Sequence, residues 1–303
     1  MKAGYLFLLS RVPFLSVMIL PYFLGALLAA RSLRIFKWPV FFLGLSGAVL
    51  VQLIAHYSGE VYDLKEDRLS AGLEKNSFSG GSQVVVKNLV LPGQVKNLLH
   101  AAVLLALTCG LILQFYLKTG IWTLTLGFSG IACAYFYSRP PLRLVSRGIG
   151  EALIAYAFGW LSVNSGFYLQ TSYFSNLPFL VSLPVALSVV NIILINEFPD
   201  YPADCLAVKR NLLVRAGKKK GAGFYFLFAL LTPAAFLAAL AGGLPLVSVV
   251  FYLPVMVFSM FLSARILKGG YNNRGELERL CAGTILVNLG TTLSCILGVF
   301  LVK

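Results

Sequence analysis

Six carboxylate residues in the chain form two copies of one spacing. The stretch EVYDLKED places Glu60, Asp63 and Asp67 at positions i, i+3 and i+7, and the second copy lies 137 residues later. On an α-helix this spacing puts three side chains on one face. Both copies follow a long apolar run and precede a basic segment, so each predicts an acidic helix end. The second copy consists of Glu197, Asp200 and Asp204.

The chemistry that two acidic helix ends favour is the binding of divalent cations. Carboxylates placed close together repel each other, and cations relieve the repulsion. Mg²⁺ typically combines one or two carboxylates with phosphate oxygens, so the sequence favours a metal-bridged diphosphate. Basic residues after the triads can neutralise such a ligand, namely Lys65, Arg68, Lys75, Lys209, Arg210, Arg215 and Lys218 to Lys220. The alternative to a ligand site is a solvated helix end whose charged residues only set the orientation of the protein in the membrane. This alternative is favoured for Lys218 to Lys220, Glu276 and Glu278.

The elements that must position these residues are membrane-spanning helices. The chain has 303 residues, 58% of them hydrophobic, and a mean hydropathy of +0.84. A spanning helix needs about 20 apolar residues, and lipid tolerates only helices or closed barrels. Nine apolar runs therefore predict an all-α, polytopic bundle of nine transmembrane helices in a single domain, residues 1–303. The runs cover residues 5–30, 36–58, 97–117, 121–138, 151–172, 176–197, 222–242, 244–267 and 280–302.

Charged residues fall on one side of this predicted bundle. With nine spans, the N-terminus and the loops after spans 2, 4, 6 and 8 share a side, which holds all 11 acids and all but five of the 25 basic residues. The exceptions are Arg31, Arg34, Lys37, Lys118 and Lys303. Cytoplasmic loops carry the excess of lysine and arginine, so the N-terminus and both acidic motifs are predicted to be cytoplasmic. The net charge of +14 therefore reflects topology in a lipid bilayer, and no nucleic-acid partner is expected.

Other residues in the apolar runs also bear on a site. His56 precedes Glu60 by four residues, which places it on the same helix face. Arg11 lies within the first run, where it can contact a diphosphate or extend towards the headgroups. Pro199 and Pro202 predict a broken or kinked helix beside the second triad. The five cysteines form no CxxC pair, so neither a disulfide framework nor a zinc site is expected.

These motifs resemble those of the UbiA superfamily of intramembrane aromatic prenyltransferases, over essentially the whole chain. The family's first motif, NDxxDxxxD, is matched by Gly59 to Asp67, with Glu60 in place of the first aspartate. Its second motif, DxxxD, is matched by Asp200 and Asp204, and the following GKRT segment keeps its basic pair as Lys209 and Arg210. The segment YSRPPLRLVSRGIGE is similar to a third family region through Tyr137, Arg139, Pro140, Pro141, Arg147, Gly148 and Glu151.

The resemblance implies nine helices around a central cavity, with a cytoplasmic active site that binds Mg²⁺ and a prenyl diphosphate. The implied catalytic residues are Asp63, Asp67, Asp200 and Asp204, and the implied metal ligands are these four with Glu60 and Glu197. The implied diphosphate-binding residues are Arg11, Arg68, Lys75, Arg139, Lys209 and Arg210. The implied acceptor and cavity residues are His56, Tyr137, Arg147, Glu151 and Asn196.

The reaction that the resemblance implies is transfer of the prenyl group to an aromatic acceptor. The motifs look most like those of members that use 1,4-dihydroxy-2-naphthoate in menaquinone biosynthesis. Acceptors such as 4-hydroxybenzoate, homogentisate, chlorophyllide or a glycerol phosphate remain alternatives, and the tail length and oligomeric state stay open. A cation-coupled transporter is the alternative from another class. Its coupling site would lie near the membrane midplane, whereas the acids of this chain are predicted at one face.

Overall fold

The computed structural model of the chain describes residues 2–73, 76, 78 and 80–302. Over these residues the chain is helical, without a β-strand. Lys75, one of the residues expected to bind diphosphate, lies outside the described residues. The α-helices are α1 Ala3–Ser10, α2 Ser16–Leu33, α3 Trp38–Tyr62, α4 Leu64–Ala71, α5 Pro92–Leu111, α6 Thr123–Ser138, α7 Gly150–Ile154, α8 Ser162–Thr171, α9 Asn176–Leu206, α10 Leu212–Ala216, α11 Lys218–Ala241, α12 Ser248–Leu267 and α13 Arg274–Leu301.

The predicted polytopic helical bundle is confirmed, with one span shorter than expected. Within the described part of the chain, eight helical segments are long and apolar enough to cross a membrane. Helix α6 takes the place of the fourth predicted span and has only 16 residues. The eight longer segments are Val12–Leu33, Trp38–Tyr62, Pro92–Tyr116, Gly150–Thr171, Asn176–Leu206, Lys218–Ala241, Ser248–Leu267 and Arg274–Leu301.

The first predicted span, residues 5–30, is wrong as a single helix because the chain turns at Arg11. Helix α1 ends at Ser10, and Arg11 adopts left-handed dihedral angles, with φ 45° and ψ 49°. A 3₁₀ turn, Val12–Leu15, then leads into α2. Pro13 in this turn lacks an N–H group and disfavours a continuous α-helix. Arg11 therefore lies between two helices rather than within one.

Helix α9 continues through Pro199 and Pro202, so a break beside the second triad is wrong, whereas a kink there stays a prediction. Pro199 cannot donate to the carbonyl oxygen of Ile195, its partner one turn earlier. The thiol of Cys281 donates to that oxygen instead, over 3.8 Å. The helix therefore carries the second triad on its last turns and ends at Leu206.

Close helix contacts depend on glycine where α2 meets α8. A β-carbon at Gly25 would lie 1.9 Å from the carbonyl oxygen of Val163, and one at Gly166 would lie 2.1 Å from that of Tyr22. Small residues at such contacts let membrane helices gain packing energy. On the outside of the bundle, large apolar side chains are exposed, as a lipid-facing surface requires. Among them are Leu104, Phe115, Leu237, Val250 and Phe300.

Candidate active site

A cavity of about 380 Å³ runs between the helices and reaches the acidic end of the bundle. Asp63 marks the end of α3, and Asp67 lies in the first turn of α4. The last turns of α9 supply the acids of the second motif. The structure thus brings the two motifs together at one cavity mouth, which is lined by Asp63, Asp67, Glu197, Asp200 and Asp204.

The first triad does not lie on one continuous helix, which corrects the helical expectation. Helix α3 ends at Tyr62, and Asp63 adopts φ −100° and ψ 19° before α4 begins. Asp63 and Asp67 line the cavity. Glu60 does not line it, and only 1% of that residue is exposed. Of the first triad, therefore, the two aspartates line the cavity and Glu60 does not.

Asp63 is held by the segment that ends α6 and follows it. Its Oδ2 accepts a hydrogen bond from Ser138 Oγ over 2.5 Å, and its Oδ1 accepts one from Arg143 Nη2 over 3.2 Å. Arg143 also donates to Glu66 Oε1 over 2.5 Å, so one guanidinium bridges two acids. Burial raises the pKa of the Asp63 carboxyl, although the Lys209 ammonium group opposes the shift.

Asp67 faces the loop that follows α4. The backbone of Gly81 passes so close that a β-carbon there would lie 2.2 Å from Asp67 Oδ2, and its φ of +66° suits glycine. Burial raises the pKa of Asp67 to about 7; Arg11 opposes this rise, whereas the carboxylates of Glu60 and Asp63 add to it. The mouth therefore concentrates negative charge that a bound cation would stabilise.

Asp200 connects the second motif to the first. Its Oδ1 accepts a hydrogen bond from Ser70 Oγ over 3.0 Å, and Ser70 belongs to α4. Its Oδ2 accepts a bond from the backbone N–H of Gly80 over 3.2 Å. The carboxylate of Asp200 is therefore held by the helix and the loop that also surround Asp67.

Lys209 supplies positive charge beside the second motif. Its Nζ lies 3.4 Å from Asp204 Oδ1, and its side chain lines the cavity. Burial alone would lower the pKa of Lys209, but the carboxylates of Asp204, Asp63 and Asp200 raise it on balance, so the group stays protonated. Asn211 Nδ2 donates to the other oxygen of Asp204 over 2.8 Å and orients that carboxylate.

Glu151 and Glu197 hold the start of α10. The N–H of Leu212 donates to Glu151 Oε1 over 2.8 Å, and the N–H of Leu213 donates to Glu197 Oε2 over 3.3 Å. Carboxylates commonly satisfy the first N–H groups of a helix in this way. Both glutamates are buried, but only Glu197 lines the cavity.

Three of the residues expected at the acceptor do line the cavity wall, namely His56, Tyr137 and Asn196. His56 Nδ1 lies 2.9 Å from the carbonyl oxygen of Ser10. A carbonyl oxygen can only accept, so Nδ1 carries the proton and Nε2 is the acceptor nitrogen of a neutral ring. His56 can therefore accept a hydrogen bond through Nε2.

The residues expected to bind diphosphate divide into two groups. Arg11 and Lys209 line the cavity, beside the first and the second motif respectively. The other described members, Arg68, Arg139 and Arg210, do not line it. Arg68 and Arg210 are exposed on the outside of the bundle end. The geometry therefore favours Arg11 and Lys209 as the cations that meet an anion in the cavity.

Arg139 and Arg147, in the segment that is similar to the third family region, have contacts outside the cavity. The guanidinium of Arg139 lies over the ring of Tyr135, with 4.4 Å to the ring centroid. Arg147 Nε donates to the carbonyl oxygen of Leu142 over 2.5 Å, and its Nη2 donates to that of Pro141 over 3.0 Å. These contacts stabilise the turn after α6, outside the cavity.

Sequence reasoning did not single out four residues at the mouth, namely Glu66, Ser70, Ser138 and Arg143. A signal existed for two of them, because Glu66 and Ser70 each follow a first-motif aspartate by three residues on α4. Arg143 stands between two other arginines in the same segment, and spacing does not rank it above them. Its role depends on the turn, where it adopts a φ of 43°.

Beyond the acids the cavity becomes an apolar channel. It follows one face of α3 from Asp63 to Gly44, about 28 Å apart at the usual helical rise. Helices α5 and α6 contribute small residues to the lining, among them Gly110 and Gly127. An added β-carbon at Gly127 would meet no heavy atom within 4 Å. The channel therefore has the length and lining that a hydrocarbon chain requires.

The helical bundle, its acidic mouth and its apolar channel define an integral, multi-pass membrane protein. The UbiA prenyltransferase family is matched by residues 18–279. The chain therefore belongs to the UbiA prenyltransferase family, as its motifs predicted.

Curated relatives carry related names. The 1,4-dihydroxy-2-naphthoate octaprenyltransferase of Bacillus subtilis is 25% identical over 211 residues, which are 70% of this chain and 65% of that protein. The chloroplastic 2-carboxy-1,4-naphthoquinone phytyltransferase of Arabidopsis thaliana is 30% identical over 222 residues, 70% of this chain and 55% of that protein. The UbiA prenyltransferase domain-containing protein 1 of Dictyostelium discoideum is 27% identical over 71% of this chain and 64% of its own length. The chain thus matches less than two-thirds of each relative.

Solved structures share the fold. A UbiA homolog from Aeropyrum pernix K1 superposes with a TM-score of 0.71 at 17% identity, covering 94% of this chain and 96% of that one. A UbiA homolog from Archaeoglobus fulgidus bound to GPP and Mg²⁺ superposes with a TM-score of 0.65 at 13% identity, covering 96% of this chain and 99% of that one. The similarity extends over nearly the whole bundle.

Proposed function

We propose that this chain transfers a prenyl group from a prenyl diphosphate to an aromatic acceptor within the membrane, with Mg²⁺ at the cavity mouth. The observation that carries the proposal is the convergence of two acidic motifs on a cavity that continues as an apolar channel. A prenyl diphosphate has the same division between a charged head and a hydrocarbon tail. The prenyltransferase names of the family and of its curated members support the activity.

The residues at the mouth fit Mg²⁺. This ion prefers oxygen ligands and uses one or two carboxylates with phosphate oxygens and water, rather than a complete protein cage. Accordingly, no three acidic, histidine or cysteine side chains of the described residues are grouped closely enough to hold an ion alone. The residues that would hold Mg²⁺ with the diphosphate are Asp63, Asp67, Asp200 and Asp204. The bound ion would supply Lewis-acid stabilisation of the departing diphosphate.

Arg11 and Lys209 hold the diphosphate in this proposal. Both side chains line the cavity next to the acids, and both are cationic. Hydrogen bonds between cationic donors and phosphate oxygens are stronger than neutral ones. As the diphosphate departs, its negative charge grows, and the two cations stabilise it most at that stage. Asp204 orients Lys209 through their contact of 3.4 Å.

The reaction is an electrophilic alkylation. The bond between the allylic carbon and the diphosphate oxygen breaks, and the diphosphate leaves with the electron pair. A ring carbon of the acceptor then bonds to the allylic carbon. The ring finally loses a proton or, when that carbon carries a carboxyl group, carbon dioxide. The apolar channel holds the tail, since each buried methylene contributes roughly 0.8 kcal/mol.

The proposed acceptor is 1,4-dihydroxy-2-naphthoate, as in menaquinone biosynthesis. Support comes from the names of the Bacillus subtilis and Arabidopsis thaliana relatives, which refer to naphthoate and naphthoquinone substrates. His56, Tyr137 and Asn196 line the wall beside the acids and offer polar groups to the acceptor's hydroxyls. The proposed orientation, with the N-terminus and both motifs in the cytoplasm, follows from the excess of basic residues on that side.

The test is product analysis with purified protein in detergent. The protein is given Mg²⁺, a labelled prenyl diphosphate and either 1,4-dihydroxy-2-naphthoate or 4-hydroxybenzoate, and products are identified by mass. A prenylated naphthoquinol with the first acceptor alone supports both the activity and the acceptor. Product with 4-hydroxybenzoate alone supports prenyl transfer but contradicts 1,4-dihydroxy-2-naphthoate as the acceptor. Absence of any Mg²⁺-dependent binding of prenyl diphosphate contradicts the proposal and favours a transporter.

A further inference from the structure

Glu60 belongs to the first triad but does not line the cavity, and its carboxylate is held by Arg11 and Ser82. Three donors reach its carboxylate: Arg11 Nη2 lies 2.9 Å from Oε1, Ser82 N lies 2.7 Å from Oε1, and Ser82 Oγ lies 2.7 Å from Oε2. A carboxylate has about four sites for such donors. With three sites in use and 1% of the residue exposed, Glu60 has little capacity left for a metal ion.

Arg11 is the cation that Glu60 orients. Its left-handed backbone, with φ 45°, is uncommon for a residue other than glycine. Arg11 lines the cavity, and its buried Nε has no hydrogen-bond partner within the described part of the chain. A guanidinium carries five N–H donors in a rigid fork. Because Glu60 engages Nη2, other donors of the same group are available to an oxyanion in the cavity.

Ser82 is the second residue that Glu60 holds. It follows a pair of glycines that touch both acidic motifs. Gly80 N donates to Asp200 Oδ2 over 3.2 Å, and the backbone of Gly81 packs against the carboxylate of Asp67. Glu60 therefore anchors this loop at the point where the loop meets the two motifs.

We propose that Glu60 is a positioning residue and not a metal ligand. Its carboxylate holds Arg11 and Ser82 so that the guanidinium of Arg11 faces the diphosphate and the glycine loop stays against the aspartates. This inference rests on the proposed function for the identity of the anion. It departs from the metal role that the resemblance implied for position 60, where the family has aspartate. The longer side chain of glutamate reaches the three donors that hold it here, which belong to Arg11 and Ser82.

The test separates metal binding from anion binding in full-length protein in detergent. The Mg²⁺ midpoint is the Mg²⁺ concentration that gives half of the rise in melting temperature, and it is measured at saturating inorganic pyrophosphate, whose oxygens complete the ligand set. The affinity for inorganic pyrophosphate is measured at saturating Mg²⁺. Glu60→Gln should leave the Mg²⁺ midpoint unchanged and weaken pyrophosphate binding about 10-fold, because its charge-assisted bond to Arg11 is lost. Asp67→Asn should raise the Mg²⁺ midpoint. Glu276→Gln, an acid outside the cavity, should change neither.

Two further variants test whether Glu60 acts through Arg11. Arg11→Gln should weaken pyrophosphate binding at least as much as Glu60→Gln. The double variant should bind no more weakly than Arg11→Gln, because effects through one shared group are not additive. Ser82→Ala keeps the ion pair and serves if Glu60→Gln does not fold. It should weaken pyrophosphate binding by a smaller factor than Arg11→Gln, again with an unchanged Mg²⁺ midpoint.

Two results would overturn the inference. One is a Mg²⁺ midpoint in Glu60→Gln, or in Ser82→Ala, that rises as far as in Asp67→Asn. The other is additive losses of pyrophosphate affinity in the double variant. Prenyl transfer by the wild type is assayed separately. If the wild type binds Mg²⁺ and pyrophosphate but transfers no prenyl group, the proposed function fails while these comparisons still decide the role of Glu60.

Discussion

Ser70 on α4 donates a hydrogen bond to Asp200 on α9, with 3.0 Å between Ser70 Oγ and Asp200 Oδ1. The two residues are 130 positions apart in the chain. The bond joins the helix that carries Asp67 to the helix that carries the second motif. The two motifs therefore form one site, and a change in either should affect the same ligand.

Loss of one aspartate from either motif should abolish turnover. Asp63→Asn and Asp200→Asn should each reduce Mg²⁺-dependent prenyl transfer by about 100-fold or more, because each removes an oxygen charge that the metal and diphosphate need. The rate is measured at saturating Mg²⁺, and folding is checked by melting temperature. Glu276→Gln, whose carboxylate pairs with Arg265 away from the cavity, is the matched acidic control. Full activity in both aspartate variants would contradict the proposed site.

Gly127 should control which prenyl tails the channel accepts. Gly127 lines the channel, and an added β-carbon there meets no heavy atom of the described residues within 4 Å, so we expect the ring of Gly127→Phe to occupy channel space. The variant should lose transfer from octaprenyl diphosphate while it keeps transfer from geranyl diphosphate. The measurement is the ratio of kcat/KM for the two donors. Gly223→Phe, at an exposed glycine of α11 with equally open space, should leave that ratio unchanged. Equal losses for both donors would place the tail elsewhere.

Asp67→Asn should stabilise the metal-free protein at high pH. Burial raises the folded-state pKa of Asp67 to about 7 from its ordinary value of 3.8. The folded state therefore binds a proton that the unfolded state releases, and the stability of the metal-free protein falls as pH rises between about 4 and 7. In EDTA at about pH 8, the melting temperature of the variant should exceed that of the wild type. The difference should be roughly 2–4 °C for each kcal/mol by which the substitution raises the free energy of unfolding. At about pH 5 the difference in melting temperature between the variant and the wild type should be smaller. A variant that melts below the wild type at about pH 8 would contradict the electrostatic explanation.

Gly166→Ala should destabilise the bundle. The new methyl group would lie 2.1 Å from the carbonyl oxygen of Tyr22, a contact that forces α2 and α8 apart. Such overpacking typically costs about 1–3 kcal/mol. The melting temperature in detergent should therefore fall. Gly223→Ala, where a β-carbon meets nothing, is the control that should not lower it. Equal melting temperatures for the two variants would mean that the α2–α8 contact can relax.

Local patterns were sufficient to predict most spanning helices and the two acidic motifs, but not the turn at Arg11 or the interruption at Asp63. The length of an apolar run identifies a membrane span, and the spacing of carboxylates identifies an acidic helix end. Both patterns depend only on residues that are near each other in the sequence. The channel could not be predicted in the same way. Its lining comes from several helices that are distant in the chain, α3, α5, α6 and α9 among them, and it depends on how these helices pack.

The contacts of Glu60 could not be predicted from spacing. Periodicity groups Glu60 with Asp63 and Asp67, whereas in the structure its carboxylate binds Arg11 and Ser82. Asp63 is held in turn by Ser138 and Arg143, and both partners come from a distant part of the chain. No spacing rule includes contacts of that kind.

The continuity of α9 had a similar cause. Prolines predict a break because they remove backbone hydrogen bonds. In this bundle the thiol of Cys281 on α13 supplies a donor to the carbonyl oxygen that Pro199 leaves without its helical partner. The donor comes from another helix and is visible only once the helices have packed.

Binding of a non-hydrolysable prenyl thiodiphosphate to the purified wild type, with Mg²⁺ and with EDTA, tests the metal-bridged diphosphate site most directly. We expect saturable binding in Mg²⁺ that disappears in EDTA and in Asp200→Asn, because the two acidic motifs repel the diphosphate unless a cation joins them. Equal binding with and without Mg²⁺, or no binding in either, would contradict a metal-bridged diphosphate site between the two motifs.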